Sequence, residues 1–287
     1  MILVTGATGT NGRVAVQLLL RAGAAVRAMV QDTAKAADLA QAGAQVVAAD
    51  FDIPEMLRAA LEGVERCLLL SAVDQRLVER EARFVEAAKK AGVRHLVKFS
   101  AIGAHPAASF LFGRQHGQAE QLVMASGVPF TFVQPNFFMQ NLLWSAATIK
   151  ARGEFYGTLG AARASHVDAR DIGRVIAATL TEPIDRHASR VHLVTGPAAL
   201  TFAEVADTLS RVLAIPVHYV DLTDEQFKAG AIAGGQPAWL ATALLELNTY
   251  ARQGHSSVVT DTVERVTGRA PGTIEQWARE HASVLLG

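Results

Sequence analysis

The segment that most constrains the fold is a glycine-rich stretch near the start of the chain, Thr5-Gly6-Ala7-Thr8-Gly9-Thr10-Asn11-Gly12-Arg13. It joins a short apolar run to a stretch whose apolar residues recur at helical spacing. A side chain at positions 6, 9 or 12 would block a tight turn, the approach of a pyrophosphate to the backbone, or the packing of helix on strand. Backbone amides and the positive end of the helix then face an anion. The stretch predicts a dinucleotide-binding loop made of Gly6, Thr8, Gly9, Thr10, Asn11, Gly12 and Arg13.

Short apolar runs alternate with amphipathic stretches through the first half of the chain, which is typical of a parallel sheet covered by helices on both faces. The predicted strands are Ile2 to Thr5, Val26 to Val30, Val46 to Ala49, Cys67 to Ser71, His95 to Ser100, Phe130 to Gln134 and Val191 to Val194. The predicted helices include Val78 to Ala91, Gln115 to Ala125 and one starting at Asp168. The fold class is therefore α/β, a Rossmann-type doubly wound parallel sheet with a smaller, mostly helical substrate subdomain.

The alternation of apolar runs and amphipathic stretches ends after Pro135, where we predict a long helix toward Lys150 and then a glycine-rich passage. The tail beyond Gly196 is predicted to be mostly helical, with capping-box patterns at Thr201 to Glu204, Thr223 to Gln226 and Thr273 to Gln276. We expect residues 1–135 plus about 165–195 to form the dinucleotide-binding domain. Residues of about 136–164 plus 196–287 would form the smaller subdomain.

Composition excludes several classes of function. Lys plus Arg equals Asp plus Glu at 27 each, so a nucleic-acid partner is not expected. The single cysteine, Cys67, lies in an apolar run, where a buried thiol is the simple reading and a redox thiol the alternative. The chain shows no secretory signal and no apolar run of the roughly 18 residues that a membrane span needs, so we expect a cytoplasmic protein with no membrane partner. A homodimer is left open.

The GxxGxxG spacing of the loop resembles that of extended and atypical short-chain dehydrogenases, and its details resemble the NmrA-like branch. The segments Val97 to Ser100, Pro135 to Asn141 and His166 to Ile172 agree with this resemblance, which covers nearly the whole chain. The similarity is greatest to bacterial triphenylmethane and quinone reductases, and more distant to plant isoflavone and phenylcoumaran benzylic ether reductases. The resemblance implies an NAD(P)H-dependent oxidoreductase.

The sequence after the second strand bears on the choice of coenzyme. NAD-binding folds usually place a carboxylate there, and this chain has Gln31. Arg13 and Lys35 match basic positions of NADP-using relatives and would pair with a 2'-phosphate, although both are also compatible with solvated surface charges. NADP(H) is favoured over NAD(H).

Other coenzyme contacts are expected where strands end. Asp50, next to Phe51, resembles a family aspartate that contacts the adenine, and a turn carboxylate is the alternative. The remaining candidates follow the fourth, fifth and sixth strands, where strand ends open onto the coenzyme crevice: Ser71, Ala72, Val73, Ser100, Pro135 and Asn136.

The Tyr-x-x-x-Lys pair of ordinary short-chain dehydrogenases is missing, because the residues four positions after the three tyrosines are Gly160, Thr223 and Gly254. In its place, the resemblance to bacterial reductases implies a role for His116 and Glu120, four positions apart on one helical face. The imidazole would hydrogen-bond or protonate the substrate while Glu120 holds its orientation. A helix-stabilising surface pair is the alternative. No metal site is expected, since two such ligands lack a third and fourth.

Loss of the catalytic pair favours a substrate that needs no strong general acid. Hydride addition to a quinone or another conjugated polycyclic aromatic gives a delocalised anion that solvent can protonate. The expected substrate-binding residues are Phe137, Phe138, Met139 and Trp144, with a core position as the alternative for each. We therefore predict a quinone reductase of secondary metabolism or detoxification, with net hydroxylation through reaction of the reduced quinone with oxygen. The alternatives are a non-catalytic NADP(H) redox sensor and, with less support, a sugar-nucleotide epimerase.

Overall fold

The computed structural model describes all 287 residues, and its centre is a seven-stranded sheet whose neighbouring strands are all parallel. The strand order is β3-β2-β1-β4-β5-β6-β8, so the direction of winding reverses between β1 and β4. A separate pair, β7 and β9, forms a second small parallel sheet. The strands are β1 (Ile2–Val4), β2 (Val26–Val30), β3 (Gln45–Ala48), β4 (Arg66–Leu69), β5 (His95–Phe99), β6 (Phe130–Pro135), β7 (Glu154–Gly157), β8 (Arg190–Val194) and β9 (His218–Asp221).

Thirteen α-helices surround the two sheets. They are α1 (Thr10–Arg21), α2 (Ala37–Gln41), α3 (Pro54–Ala60), α4 (Leu77–Lys90), α5 (Leu111–Ser126), α6 (Ala146–Arg152), α7 (Ala169–Thr181), α8 (Phe202–Leu213), α9 (Asp224–Ala233), α10 (Ala238–Arg252), α11 (Thr262–Thr267), α12 (Ile274–Glu280) and α13 (Ala282–Leu286). Three short 3-10 helices cover Thr33–Ala36, Met139–Ser145 and Ile184–Arg186.

Three hydrophobic cores hold these layers together. Residues of α1, α7 and α11 pack on one face of the large sheet, and residues of α3, α4 and α5 pack on the other. The third core joins the 3-10 segment at Met139–Ser145 to α6, β7, α8, α12 and α13. The strands of the large sheet are apolar on both faces because helices cover both. The predicted α/β doubly wound fold is confirmed.

Local sequence signals explain where several helices begin. Asp168 accepts a hydrogen bond from the Arg170 amide and caps α7. Thr201, Thr223 and Thr273 each form the complete reciprocal capping box predicted for them, at the starts of α8, α9 and α12.

The long helix predicted after Pro135 does not form as one element. The backbone amide of Met139 donates to the carbonyl of Val167, and Phe138 pairs with Val167 as an isolated bridge. These contacts hold the start of the segment extended. A 3-10 turn follows that buries Met139 and Leu142, three positions apart, before α6 begins at Ala146.

The tail also departs from the expected division of the chain. Helix α11, expected in the smaller subdomain, packs against α7 and β8, and its Val263 belongs to the core of the large sheet. The glycine-rich passage contains β7, whose partner β9 comes from the tail that was predicted to be mostly helical. No helix has the combined length and apolar character needed to cross a membrane.

Candidate functional site

The glycine loop between β1 and α1 lies at the point where the strand order reverses, which is where α/β sheets of this kind bind ligands. Gly6 has a φ of +60°, and a Cβ at this position would lie 2.5 Å from the side chain of Leu70. A Cβ on Gly12 would lie 2.1 Å from the carbonyl oxygen of Gly6. Both glycines are therefore required for the loop to close on itself and on β4.

The same loop leaves the first turn of α1 open to an anion. Gly9 is the residue before α1, so no side chain caps the helix, and no acidic residue lies in its first turn. The first backbone amides of the helix therefore have no side-chain acceptor. In addition, Asn11 Oδ1 is buried and has no hydrogen-bond partner. An uncapped helix start beside a glycine turn fits the diphosphate of a dinucleotide.

A groove and a cavity meet at this loop. The groove, of about 560 Å³, passes over the ends of β1, β2 and β4. The cavity, of about 570 Å³, lies between β5, β6, the 3-10 segment and α10. Gly9, Leu70 and Ser71 line both, so a single extended ligand can occupy the two together. Each volume lies within the range of about 300 to 1,000 Å³ that is usual for small-molecule sites.

Most of the predicted site residues line one of these two spaces. The groove is lined by Gly6, Thr8, Gly9, Gln31, Lys35, Phe51, Ser71 and Ala72. The cavity is lined by Gly9, Thr10, Asn11, Ser71, Val73, Ser100, His116, Pro135, Asn136, Phe137, Phe138 and Trp144. The candidates that line neither are Gly12, Arg13, Asp50, Glu120 and Met139.

Arg13 is committed to the loop rather than to the groove. Its Nε donates to the Thr8 carbonyl at 3.1 Å, one terminal nitrogen donates to the Lys35 carbonyl at 2.6 Å, and the other pairs with Asp38. The hydrogen bond from Arg13 lowers the pKa of Asp38. The predicted pairing of Arg13 with a 2'-phosphate is thus replaced by a bracing role, and Lys35 is the predicted cation that lines the groove.

Asp50 makes the contacts of a turn carboxylate, which is the alternative to the adenine contact that the resemblance implies. Its Oδ1 accepts from the Asp52 amide at 2.9 Å, as a turn carboxylate does, and its Oδ2 accepts from Gln31 Nε2 at 3.2 Å. The carboxylate therefore fixes the turn and orients Gln31. Phe51, the next residue, lines the groove and packs against Phe84 with ring centroids 5.7 Å apart.

His116 and Glu120 lie on α5 and are both buried, but no hydrogen bond joins them. Glu120 Oε1 accepts from Ser100 Oγ at 2.5 Å and from Gln134 Nε2 at 2.8 Å. Burial raises the pKa of this carboxyl. The expectation that Glu120 orients the imidazole is therefore corrected, because its hydrogen bonds are made to β6 and to the end of β5.

The group that contacts the imidazole is Lys98, which the sequence reasoning missed. Lys98 Nζ lies 3.2 Å from His116 Nδ1. Burial, and then the charge of Lys98, hold the pKa of His116 well below its usual range. A lysine inside a run of strand residues was the available signal, since charged side chains are almost never fully buried unless they are paired.

The segment after Pro135 supplies one wall of the cavity, with two corrections. Met139 lies fully buried in the third core and does not line the cavity. The side-chain nitrogen Nδ2 of Asn136 donates to Ser165 Oγ at 2.7 Å and to the Ser256 carbonyl at 2.8 Å, so it is not free for a ligand. Trp144 remains 79% exposed at the cavity.

The opposite wall comes from residues that sequence reasoning did not select. Their shared features are an apolar side chain and a position on α10 or near the start of α5: Phe110, Phe112, Leu240, Leu244 and Leu247. On α10 the spacing of four and then three residues was the available signal. His116 is the only ionisable residue in the lining, and none of the three tyrosines reaches the cavity.

Fold and site together define a dinucleotide-binding α/β protein with an apolar cavity beside the coenzyme groove. Comparison with known proteins gives the family: residues 1–275 match the model of the NmrA-like family. The chain belongs to the NmrA-like family, as the resemblance of its motifs predicted.

Three similar proteins have nearly the same length. An NAD(P)H azoreductase of Xenophilus azovorans is 44% identical over 285 residues, covering 99% of each chain. The NADPH complex of the quinone oxidoreductase QOR2 of Escherichia coli superposes with a TM-score of 0.89, at 26% identity and with 98% and 99% of the two chains covered. The NADP(H) complex of triphenylmethane reductase of Citrobacter sp. has a TM-score of 0.86 at 24% identity, covering 98% and 100%, and shares the fold.

Proposed function

We propose that this protein is an NAD(P)H-dependent reductase of quinones, azo compounds or similar conjugated aromatic molecules. The observation that carries the proposal is the apolar cavity, which opens directly onto the glycine-loop groove and has one ionisable lining residue. Such a cavity suits a flat, uncharged acceptor. An acceptor that spreads the incoming charge over a conjugated system needs little acid-base help.

The coenzyme is NADP(H), and the groove fits it. The uncapped start of α1 would hold the diphosphate. Lys35 would face the ribose end, where Gln31 follows β2 and the carboxylate of Asp32, which also lines the groove, accepts from the Ala34 amide. The related QOR2 structure contains NADPH, and the azoreductase relative is named for NAD(P)H. When bound, the reduced coenzyme supplies the hydride.

The residues of the chain would position the acceptor and exclude water from the cavity. The apolar walls from the 3-10 segment and from α10 would hold an aromatic acceptor between them. Phe138 packs edge-on against Phe99, with ring centroids 6.3 Å apart, which stiffens that wall. His116 would donate a hydrogen bond to the atom that gains charge.

The test is a panel of quinones and azo dyes mixed with the purified protein and either NADPH or NADH. We expect NADPH oxidation above the enzyme-free rate for several acceptors, and faster oxidation than with NADH. Tight binding of NADPH with no oxidation by any acceptor would contradict this function. That outcome would favour the redox sensor, which binds the coenzyme without consuming a substrate.

Two narrower parts of the function are also proposals. A place in secondary metabolism or detoxification would follow from a preference for polycyclic acceptors over simple benzoquinones. Net hydroxylation would require the reduced quinone to react with oxygen, and measuring oxygen consumption alongside NADPH oxidation tests for that reaction.

A further inference from the structure

A buried ion pair lies directly behind the cavity. Lys98 on β5 is 0% exposed and Glu81 on α4 is 1% exposed, and Lys98 Nζ lies 2.6 Å from Glu81 Oε2. Taking two charges out of water is costly, and their attraction often does no more than offset that cost. A stabilising role alone is therefore a weak explanation for the pair.

Both ends of this pair reach the site. Glu81 Oε1 accepts a hydrogen bond from Ser71 Oγ at 2.7 Å, and Ser71 lines the groove and the cavity. Lys98 Nζ donates to the Phe99 carbonyl at 3.1 Å and contacts His116 Nδ1 at 3.2 Å. The ammonium is thus held between a carboxylate, a carbonyl and the imidazole.

The chemistry of the ammonium fixes the tautomer of the imidazole. Lysine carries only donors, so His116 Nδ1 must accept and the single proton of the neutral ring lies on Nε2. Nε2 has no hydrogen-bond partner in the protein and is not sealed from solvent, while the ring lines the cavity. His116 therefore presents an N–H group to whatever occupies the cavity.

We propose that Lys98, held in place by Glu81, is a positioning residue that keeps His116 as an Nε2–H donor toward the acceptor. In the reaction, hydride adds one proton and two electrons to the acceptor, and the resulting oxygen or nitrogen anion accepts the hydrogen bond from Nε2–H. Water supplies the second proton, so the ring keeps its own. The effect on rate rests on the proposed function, whereas the tautomer does not.

The first test reads the tautomer without any reaction. We expect ¹⁵N NMR of histidine-labelled wild-type protein at neutral pH to show His116 protonated at Nε2 and unprotonated at Nδ1, with the signal assigned by its loss in His116→Gln. The double variant Lys98→Met with Glu81→Gln removes both buried charges together, and we expect it to populate the Nδ1–H form. A wild-type ring that carries its proton on Nδ1, or on both nitrogens, would overturn the proposal.

The second test measures rate. We expect kcat of the double variant to fall roughly 10- to 100-fold, as loss of a residue that orients a reactive group does, with the Kd for NADPH unchanged. Adding His116→Gln to the double variant should lower kcat little further, because the three residues act as one unit. The control replaces the exposed pair of α4, Lys90 and Glu86, which lie 3.1 Å apart, by Met and Gln, and should keep wild-type kcat.

The outcomes separate the two proposals. A folded double variant with wild-type kcat would overturn the positioning role even if the protein reduces quinones. If wild-type protein reduces no acceptor, the proposed function fails while the tautomer measurement still decides the role of Lys98. If the double variant does not fold, the wild-type ¹⁵N spectrum still shows which nitrogen of His116 carries the proton and so tests the proposed tautomer.

Discussion

At the scale of single residues, Gly9 and Gly12 in the same loop are predicted to respond differently to alanine. A Cβ on Gly12 would lie 2.1 Å from the Gly6 carbonyl oxygen, whereas one on Gly9 would lie 3.4 Å from it. We expect Gly12→Ala to lower the free energy of unfolding by about 3 kcal/mol, because backbone must move. We expect Gly9→Ala to cost less than about 1 kcal/mol but to weaken NADPH binding, since Gly9 lines both groove and cavity. Urea unfolding and coenzyme titration of both variants test this contrast, and equal stability of the two would contradict it.

Lys35 and Arg13 are predicted to act on the coenzyme in different ways. Lys35 lines the groove, so Lys35→Ala should raise the Kd for NADPH by roughly tenfold and leave the Kd for NADH unchanged. Arg13 braces the carbonyls of Thr8 and Lys35, so Arg13→Ala should weaken both coenzymes alike. Titration of the two variants with both coenzymes is the measurement. Selective loss of NADPH binding in the Arg13 variant would show that Arg13 contacts the 2'-phosphate after all.

At the scale of secondary-structure elements, α10 is the part of the cavity wall that is farthest in sequence from the rest. Leu244 lies at the centre of its apolar stripe between Leu240 and Leu247. We expect Leu244→Gln to raise the KM for a polycyclic quinone roughly tenfold, because a buried apolar contact is lost, with the Kd for NADPH unchanged. The matched control is Ile232→Gln, an exposed residue of α9 outside the cavity lining, which should leave KM unchanged. Equal KM values for both variants would show that α10 does not contact the acceptor.

The elements also show what the sequence could and could not predict. The central strands were predictable to within a residue or two, because buried parallel strands are continuous apolar runs, and the capping boxes gave the starts of α8, α9 and α12. The division of the segment after Pro135 into a 3-10 helix and α6 was not predictable, since it depends on the carbonyl of Val167, which is distant in sequence. The contact between Lys98 and His116 was not predictable either, because no local pattern reports that a side chain of β5 reaches a side chain of α5.

At the scale of the whole molecule, buried histidines make stability depend on pH. Burial lowers the pKa of His95, His166 and His192 from 6.5 to about 4. The unfolded chain therefore binds more protons than the folded chain between these two pKa values, so the free energy of unfolding rises with pH across this interval. The contribution of the three neutral rings is fully present above about pH 6.5 and is lost as the pH falls toward about 4. Burial raises the pKa of the Glu120 and Asp171 carboxyls, and this favours the folded state at lower pH. The two carboxyls therefore act against the three histidines.

We expect the urea midpoint to fall steadily from pH 7 to pH 4.5. His166 packs against Phe202, with ring centroids 5.5 Å apart, and His166→Phe should keep this packing and flatten the slope. His218→Gln, at an exposed position of β9, is the control and should leave the slope unchanged. A midpoint that rises on acidification would contradict the assignment of these rings as buried and neutral.

In the proposed reaction, a coenzyme held on the glycine loop would pass its hydride directly to an acceptor in the adjoining cavity. A nicotinamide held there would present one of its two faces to the acceptor in the cavity. The most direct measurement is rapid mixing of the protein and a quinone with NADPH deuterated at either the pro-R or the pro-S position. We expect slower oxidation with one of the two deuterated coenzymes and an unchanged rate with the other. Equal rates with both, or no oxidation above the enzyme-free rate, would contradict it.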